Sequence, residues 1–170
     1  MLQLILLCGL PGTGKTTATG PYRTMDDWFV YSTDDYIESK AYENGQLYDD
    51  AFRSLIKDAK KHMDQQLRSA IEQGKHVVWD QTNLTRKKRQ AALSLFDTYN
   101  KTCWYFPLYI ARYGAWMNRL QSRNGKTITV SVINDMVNRF EIPTLADGFD
   151  KLVYKNTGLE PESASQNFTQ

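Results

Sequence analysis

Apolar runs and apolar stripes alternate along most of the chain. Residues 2–8 (LQLILLC) are nearly all apolar, as expected of a parallel strand buried on both faces. A short helix is predicted from residue 15, stopping near Gly20-Pro21. Residues 28–32 (WFVYS) read as a second strand. Across 49–73, Phe52, Leu55, Ile56, Ala59, Met63, Leu67, Ala70 and Ile71 make a helical stripe that Gly74 closes. Residues 76–80 (HVVWD) form a third strand. Residues 85–100 read as one helix with Ala92, Leu95, Phe96 and Tyr99 on a face. Residues 102–111 form a fourth strand interrupted at Pro107, 113–122 and 130–140 two more helices, and 152–154 a last short strand.

This alternation predicts an α/β fold: a four- or five-stranded parallel sheet flanked by helices, with right-handed crossovers. Residues 1–156 are expected to form the domain. Residues 157–170 are polar, lack core positions and are expected to be disordered.

Composition narrows the function classes. A chain of 170 residues, 41% of them hydrophobic, can bury a core without disulfide or metal staples. Cys8 and Cys103 lack zinc-site spacing, and two histidines cannot make a His-rich metal centre. No apolar run approaches a membrane span, so no membrane partner is expected. The opening MLQLILLCGL lacks a basic leader and reads as a buried strand rather than a signal peptide; the cytoplasm is the expected location. A net charge of +2 neither demands nor excludes nucleic acid.

The chemistry starts at GLPGTGKTT, residues 9–17, which matches GxxxxGK[ST] at every fixed position. A buried strand precedes it and a helix follows. The glycines Gly9, Gly12 and Gly14 are expected to let backbone N–H groups turn around phosphate oxygens, with Pro11, Thr13 and Thr17 among the residues of the cradle. Lys15 would reach the β- and γ-phosphates, and the Thr16 hydroxyl would ligate Mg²⁺. The expected donor is ATP or another nucleoside triphosphate.

Two clusters follow the second and third strands, where ligands of open α/β sheets bind. In Ser32-Thr33-Asp34-Asp35-Tyr36, one aspartate is the candidate to take a proton from an acceptor hydroxyl. In Trp79-Asp80-Gln81-Thr82-Asn83, Asp80 is placed to hold a Mg²⁺-bound water or to orient a lid arginine; Thr82 and Asn83 are candidate substrate contacts or helix caps. Further on, Arg119 and Arg123 are four apart, predicting a shared helix face that breaks at Asn124-Gly125. Residues 119–130 thus read as a helical lid whose arginines close over the triphosphate.

GLPGTGKTT, TDDY, DQTN with its basic helix, the R-x3-R lid and the later VYKN resemble bacteriophage-type polynucleotide 5′-hydroxyl kinases over about residues 2–156. The resemblance implies a phosphate-loop kinase core without the phosphatase domain of the phage enzymes, and the host cytoplasm as location if the origin is phage. It implies that Asp34 is the general base, that Asp80 is the aspartate of the third motif, and that Arg123 is the lid arginine on phosphate, with Arg119 upstream. Two departures bear on the acceptor. Where the family carries an arginine to hold an acceptor phosphate, this chain has Ile37, which leaves that task to Lys40 or to no residue. DQTN is one residue longer than the family's DTN.

Side chains at the end of an extended strand point to opposite sides, so only one of Asp34 and Asp35 can face the γ-phosphate. Asp35 is expected to cap the next element. The run Arg86-Lys87-Lys88-Arg89 opens a predicted helix and reads either as a contact to a strand's phosphates or as a solvated face. Tyr36, Tyr42 and Tyr48 read as packing residues before base-stacking ones.

The expected function is ATP-dependent phosphorylation of the 5′-hydroxyl of DNA or RNA, on a single-stranded or frayed end. The alternatives are a kinase of a small hydroxyl compound, such as a nucleoside, sugar nucleotide or antibiotic, and a non-catalytic nucleotide switch.

Overall fold

The computed structural model describes residues 1–123 and 125–158; the predicted tail from 159 onward and Asn124 lie outside the described residues. Five strands form one parallel sheet in the order β2-β3-β1-β4-β5: β1 (Gln3–Cys8), β2 (Trp28–Tyr31), β3 (His76–Trp79), β4 (Asn100–Tyr105) and β5 (Lys151–Tyr154). β1 lies in the centre, and all but its first residue is buried. Its register runs Leu4↔Val77 on one side and Leu6↔Cys103 on the other. Burial on both faces is why its sequence is a continuous apolar run.

Helices cover the sheet: α1 (Lys15–Thr19), α2 (Thr33–Glu43), α3 (Tyr48–Glu72), α4 (Arg86–Leu93), α5 (Tyr113–Gln121) and α6 (Val130–Asn138). Leu4, Leu6, Val77, Leu67, Phe96 and Phe149 belong to the main core cluster. A second cluster, Leu10, Leu84, Trp116, Leu120 and Ile133, seats α5 and α6 against the phosphate loop. No helix among the described residues is long and apolar enough to cross a membrane.

Three local readings need correction. The stretch 85–100 is not one helix. α4 ends at Leu93, Leu95 is exposed, and Phe96 and Tyr99 reach the core from turns closed by Phe96 N–H to Leu93 O and Tyr99 N–H to Phe96 O. Asn100 already pairs with Gln3 in the sheet. The fourth strand stops at Tyr105, before Pro107 rather than across it, since proline offers no ladder donor. Thr157, assigned to the tail, is buried, and its carbonyl accepts from Arg119 (2.9 Å).

Candidate active site

The loop between β1 and α1 is fixed by its own backbone and by close packing. Gly9 N–H donates to Thr82 O (3.1 Å), and a Cβ at Gly9 would stand 2.9 Å from Phe106. Gly12 has φ +76°, a backbone conformation that favours glycine, and a Cβ there would stand 2.8 Å from a Leu120 methyl. Thr13 is buried, and its hydroxyl donates to Leu10 O (2.8 Å). Trp116 Nε1 donates to Pro11 O (2.7 Å), tying α5 to the loop. Gly14 opens α1, while Thr16 and Thr17 are exposed at the mouth.

Lys15 is buried, with Nζ donating to Gly9 O (2.8 Å) and Leu10 O (2.6 Å). Burial pushes its pKa down to about 8; the carboxylates of Asp80 and Asp34 favour the charged form, and Arg123 opposes it. Lys15, Asp80, Asp34 and Arg123 therefore share one electrostatic neighbourhood. This is the convergence expected at the carboxyl ends of β1, β2 and β3.

Asp80 follows β3 and is 7% exposed. Burial raises its pKa, against the pull of Lys15 and Arg23. Its carboxylate accepts from the Thr19 hydroxyl (3.3 Å) and from Arg23 (3.3 Å). Arg23, in the 3-10 turn Gly20–Thr24, also pairs with both oxygens of Asp35 (2.8 and 3.1 Å) and donates to Thr19. The sequence reading missed Arg23; nothing near it in the chain marks its carboxylate partners, which lie 12 and 57 residues away.

Asp34 and Asp35 do not end a strand. β2 stops at Tyr31, and both aspartates sit in the first turn of α2. Ser32 is the cap, its hydroxyl accepting from Asp35 N–H (3.2 Å), so the expectation that Asp35 caps this helix is corrected. The two side chains still diverge, now by about 100° around a helix. Asp35 turns to Arg23. Asp34 turns to the lid: Oδ1 accepts from the Tyr48 hydroxyl (2.9 Å), and Oδ2 lies 3.8 Å from Lys126 Nζ.

Lys126 also pairs with Glu38 and lies 4.3 Å from the centre of the Tyr48 ring. Next to it, Thr127 N–H donates to both carboxylate oxygens of Asp49 (2.9 and 3.1 Å). Burial, with Asp34 next, raises the Tyr48 pKa, so its hydroxyl stays a donor. Tyr48 and Lys126 thus join the site. Of the other tyrosines, Tyr36 packs near His62 (4.7 Å between ring centres) and Tyr42 is exposed.

The lid arginines divide. α5 ends at Gln121, with Ser122 closing it, so Arg123 lies beyond the helix and shares no helical face with Arg119. Arg119 donates to Gly12 O (3.3 Å) and Thr157 O (2.9 Å); it braces the loop from behind. Arg123 acts electrostatically on both Lys15 and Tyr48.

The remaining acceptor candidates scatter. Lys40 pairs with Glu43 (2.6 Å). Ile37 is fully buried. Asn83 is buried at φ 48°, its amide donating to Leu7 O (2.6 Å), so it braces β1 rather than lining an acceptor pocket. Thr82 holds Gly9 through its carbonyl, and Thr85 caps α4. The basic run is broken up. Arg89 is 1% exposed, pairing with Asp147 (2.7 Å) and donating to three carbonyls. Arg86 donates to Ala146 O (2.7 Å), which leaves Lys87 and Lys88 exposed.

Hard oxygen donors suit Mg²⁺, which takes one or two protein oxygens and completes its shell with phosphates and water. The exposed Thr16 hydroxyl and the buried carboxylate of Asp80 are donors of that kind. No group of three or more His, Cys, Asp or Glu that could cage a metal occurs among the described residues.

Residues 4–143 match the AAA domain family AAA_33. The chain belongs to that family. It is a kinase-like phosphate-loop domain, and its architecture recurs in kinases of known structure. A candidate kinase from Chloroflexus aurantiacus superposes with a TM-score of 0.66 at 17% identity, covering 91% of this chain and 84% of that one. A gluconokinase from Sinorhizobium meliloti gives 0.54 at 16% identity, over 94% and 84%. A chain of the Pnkp1/Rnl/Hen1 RNA repair complex gives 0.58 at 21% identity, over 81% of this chain and 43% of that one. In sequence, the mouse heterogeneous nuclear ribonucleoprotein U-like protein 2 is 23% identical over 99% of this chain, which spans only 23% of that protein's length.

Proposed function

We propose that the chain transfers the γ-phosphate of ATP to the 5′-hydroxyl of DNA or RNA. One observation carries this reading: Asp34, held by Tyr48 and Lys126, is a carboxylate close enough to Lys15 for its charge to favour the ammonium. A nucleotide switch needs no such carboxylate. The hydroxyl oxygen attacks the γ-phosphorus in line, the bond to the β,γ-bridging oxygen breaks, and the hydroxyl proton passes to Asp34. ADP leaves. Lys15 leaves its two carbonyls for the phosphates, and Arg123 meets charge on the transferring group. Thr16, with Asp80 through water, would hold Mg²⁺, which supplies charge neutralisation at the β- and γ-oxygens.

The polynucleotide acceptor is supported by the order of the motifs along the chain and by the fold shared with a chain of an RNA repair complex. The buried Ile37 favours a second reading, a small hydroxyl acceptor, because no arginine stands there for an acceptor phosphate. The fold shared with a gluconokinase is equally consistent with it.

Incubation with γ-labelled ATP, Mg²⁺, and a 5′-hydroxyl oligonucleotide or a panel of nucleosides and sugars separates the readings. Label on the oligonucleotide is expected. Label only on small compounds establishes the second reading. Tight ATP binding with no label establishes the switch.

A further inference from the structure

The two neighbours of Asp34 in the chain are each tied to one dipeptide, Asp80-Gln81, at the end of β3. On one side the Gln81 amide donates to the Thr33 hydroxyl (3.0 Å). On the other, Asp35 receives the fork of Arg23: Nε donates to Oδ2 (3.0 Å), and Nη2 to Oδ2 (2.8 Å) and Oδ1 (3.1 Å). The same Nη2 reaches Asp80 Oδ2 (3.3 Å). Thr33 and Asp80 are buried.

Arg23 comes from the 3-10 turn that directly continues α1, the helix opened by the phosphate loop. One side chain therefore joins three segments: the phosphate-loop helix, the end of β3 and the first turn of α2. A planar guanidinium spans two carboxylates in fixed geometry, which a lysine does not.

The stability of α2 does not call for these ties. Ser32 caps the helix, and Ile37 and Ala41 are buried in one cluster with Ala51 and Ala59 of α3. That packing fixes the body of α2 against α3. The ties set a different interval, that between the first turn of α2 and the end of β3. Both are made by the residues flanking Asp34, each about 100° from it around the helix. Asp34 stays clear of them and engages Tyr48 and Lys126.

Resting on the kinase reading, we propose that Arg23 and Gln81 are positioning residues: they clamp the first turn of α2 to the end of β3 and so set where the Asp34 carboxylate stands relative to the phosphate loop. Both act through Asp34 and not on the substrate. A misplacement of about 1 Å at a reacting group costs on the order of 10²-fold in rate, so the loss of a single tie is enough to register.

The test uses two variants. Arg23→Lys keeps a cation beside the buried Asp80 but loses the fork. Gln81→Met removes the second tie without changing charge. Single-turnover transfer from γ-labelled ATP to the acceptor that the wild-type protein labels is measured for each variant, alone and combined with Asp34→Asn. Each is expected to slow transfer about tenfold or more alone, and by less than about twofold in the Asp34→Asn background. Crystal structures of the two free variants read the position directly. Asp34 is expected to leave the Tyr48 hydroxyl, from 2.9 Å to beyond about 3.5 Å. A variant whose Asp34 keeps that contact removes its residue from the clamp, and two such variants overturn it. Equal rate losses with and without Asp34→Asn also overturn it, because they mark a role in the fold or through Asp80. If the wild-type protein transfers phosphate to no acceptor, the kinase reading falls alone, and the crystal structures still decide the clamp: a displaced Asp34 upholds it and an unmoved one removes it.

Discussion

The proposed donor and acceptor halves of the cleft are built by different means. The phosphate loop is contiguous: nine residues, two backbone-demanding glycines, and walls supplied by Phe106, Trp116 and Leu120. The acceptor half is assembled from α2, the start of α3 and the lid, joined by charged side chains: Asp34, Glu38 and Asp49 receive Tyr48, Lys126 and Thr127. Packed backbone is hard to deform, whereas exposed ion pairs are individually weak. The donor half should therefore be rigid and intolerant of change, and the acceptor half adjustable.

The largest effect tests the donor side. Lys15→Ala is expected to abolish transfer and weaken ATP binding, because no other cation reaches the β- and γ-phosphates from within the loop. Measured turnover equal to wild type would remove the loop from the chemistry.

Across the cleft, Asp34→Asn should keep ATP affinity but lose at least about 10²-fold in single-turnover transfer. Asp35→Asn should cost less than about 1 kcal/mol of stability, since its pairing with Arg23 is partly exposed. If Asp35→Asn is inactive and Asp34→Asn active, the two roles must be exchanged.

Between the halves, Arg123→Ala is expected to lower kcat by about 10² or more with little change in ATP affinity, and Arg123→Lys to rescue poorly. A rise in the KM for ATP alone would make Arg123 a binding residue.

A smaller loss, about tenfold in kcat, is expected for Lys126→Met. Asp34 retains its Tyr48 hydrogen bond, which accounts for the milder effect. Lys126→Arg should recover most of it. Non-additivity of Lys126→Met with Tyr48→Phe would show that both act through the one carboxylate.

The mildest test is pH. Lys15 sits near pKa 8 in the free fold, below the ordinary lysine value of 10.5. Burial of its charge therefore costs stability below about pH 8, and that loss is recovered as pH rises toward 10.5. A triphosphate favours the ammonium, so ATP binding above pH 8 should take up a proton. Affinity should fall with rising pH there, by at most about tenfold per unit. A flat ATP titration from pH 7 to 9.5 would contradict this.

The same contrast explains what the sequence made legible. β1 shows as an apolar run because it is central and buried, and the loop shows because its residues are neighbours in the chain. α2 was hidden: TDDYIESKAYE buries only Thr33, Ile37 and Ala41, too thin a stripe to signal a helix. That omission made Asp34 and Asp35 look like strand-end residues. Residues 85–100 misled in the opposite way, since apolar positions in successive turns imitate helical spacing. Arg23, Tyr48 and Lys126 acquire partners only through packing between segments, and no local pattern records that.

The pairing of Arg89 with Asp147 has a practical consequence for where the protein can be cut. The family match ends at residue 143, and a boundary drawn there would keep the phosphate loop, both aspartates and the lid. It would also discard Asp147, leaving a guanidinium that is 1% exposed to face Cys8 and three carbonyls without its counter-ion. Breaking such a buried pair costs about 3–5 kcal/mol, a large part of what holds a domain of this size together. β5 would be lost with it, exposing the edge of β4. A truncation meant to isolate the catalytic part would thus be expected to aggregate, and its silence in an assay would say nothing about the chemistry.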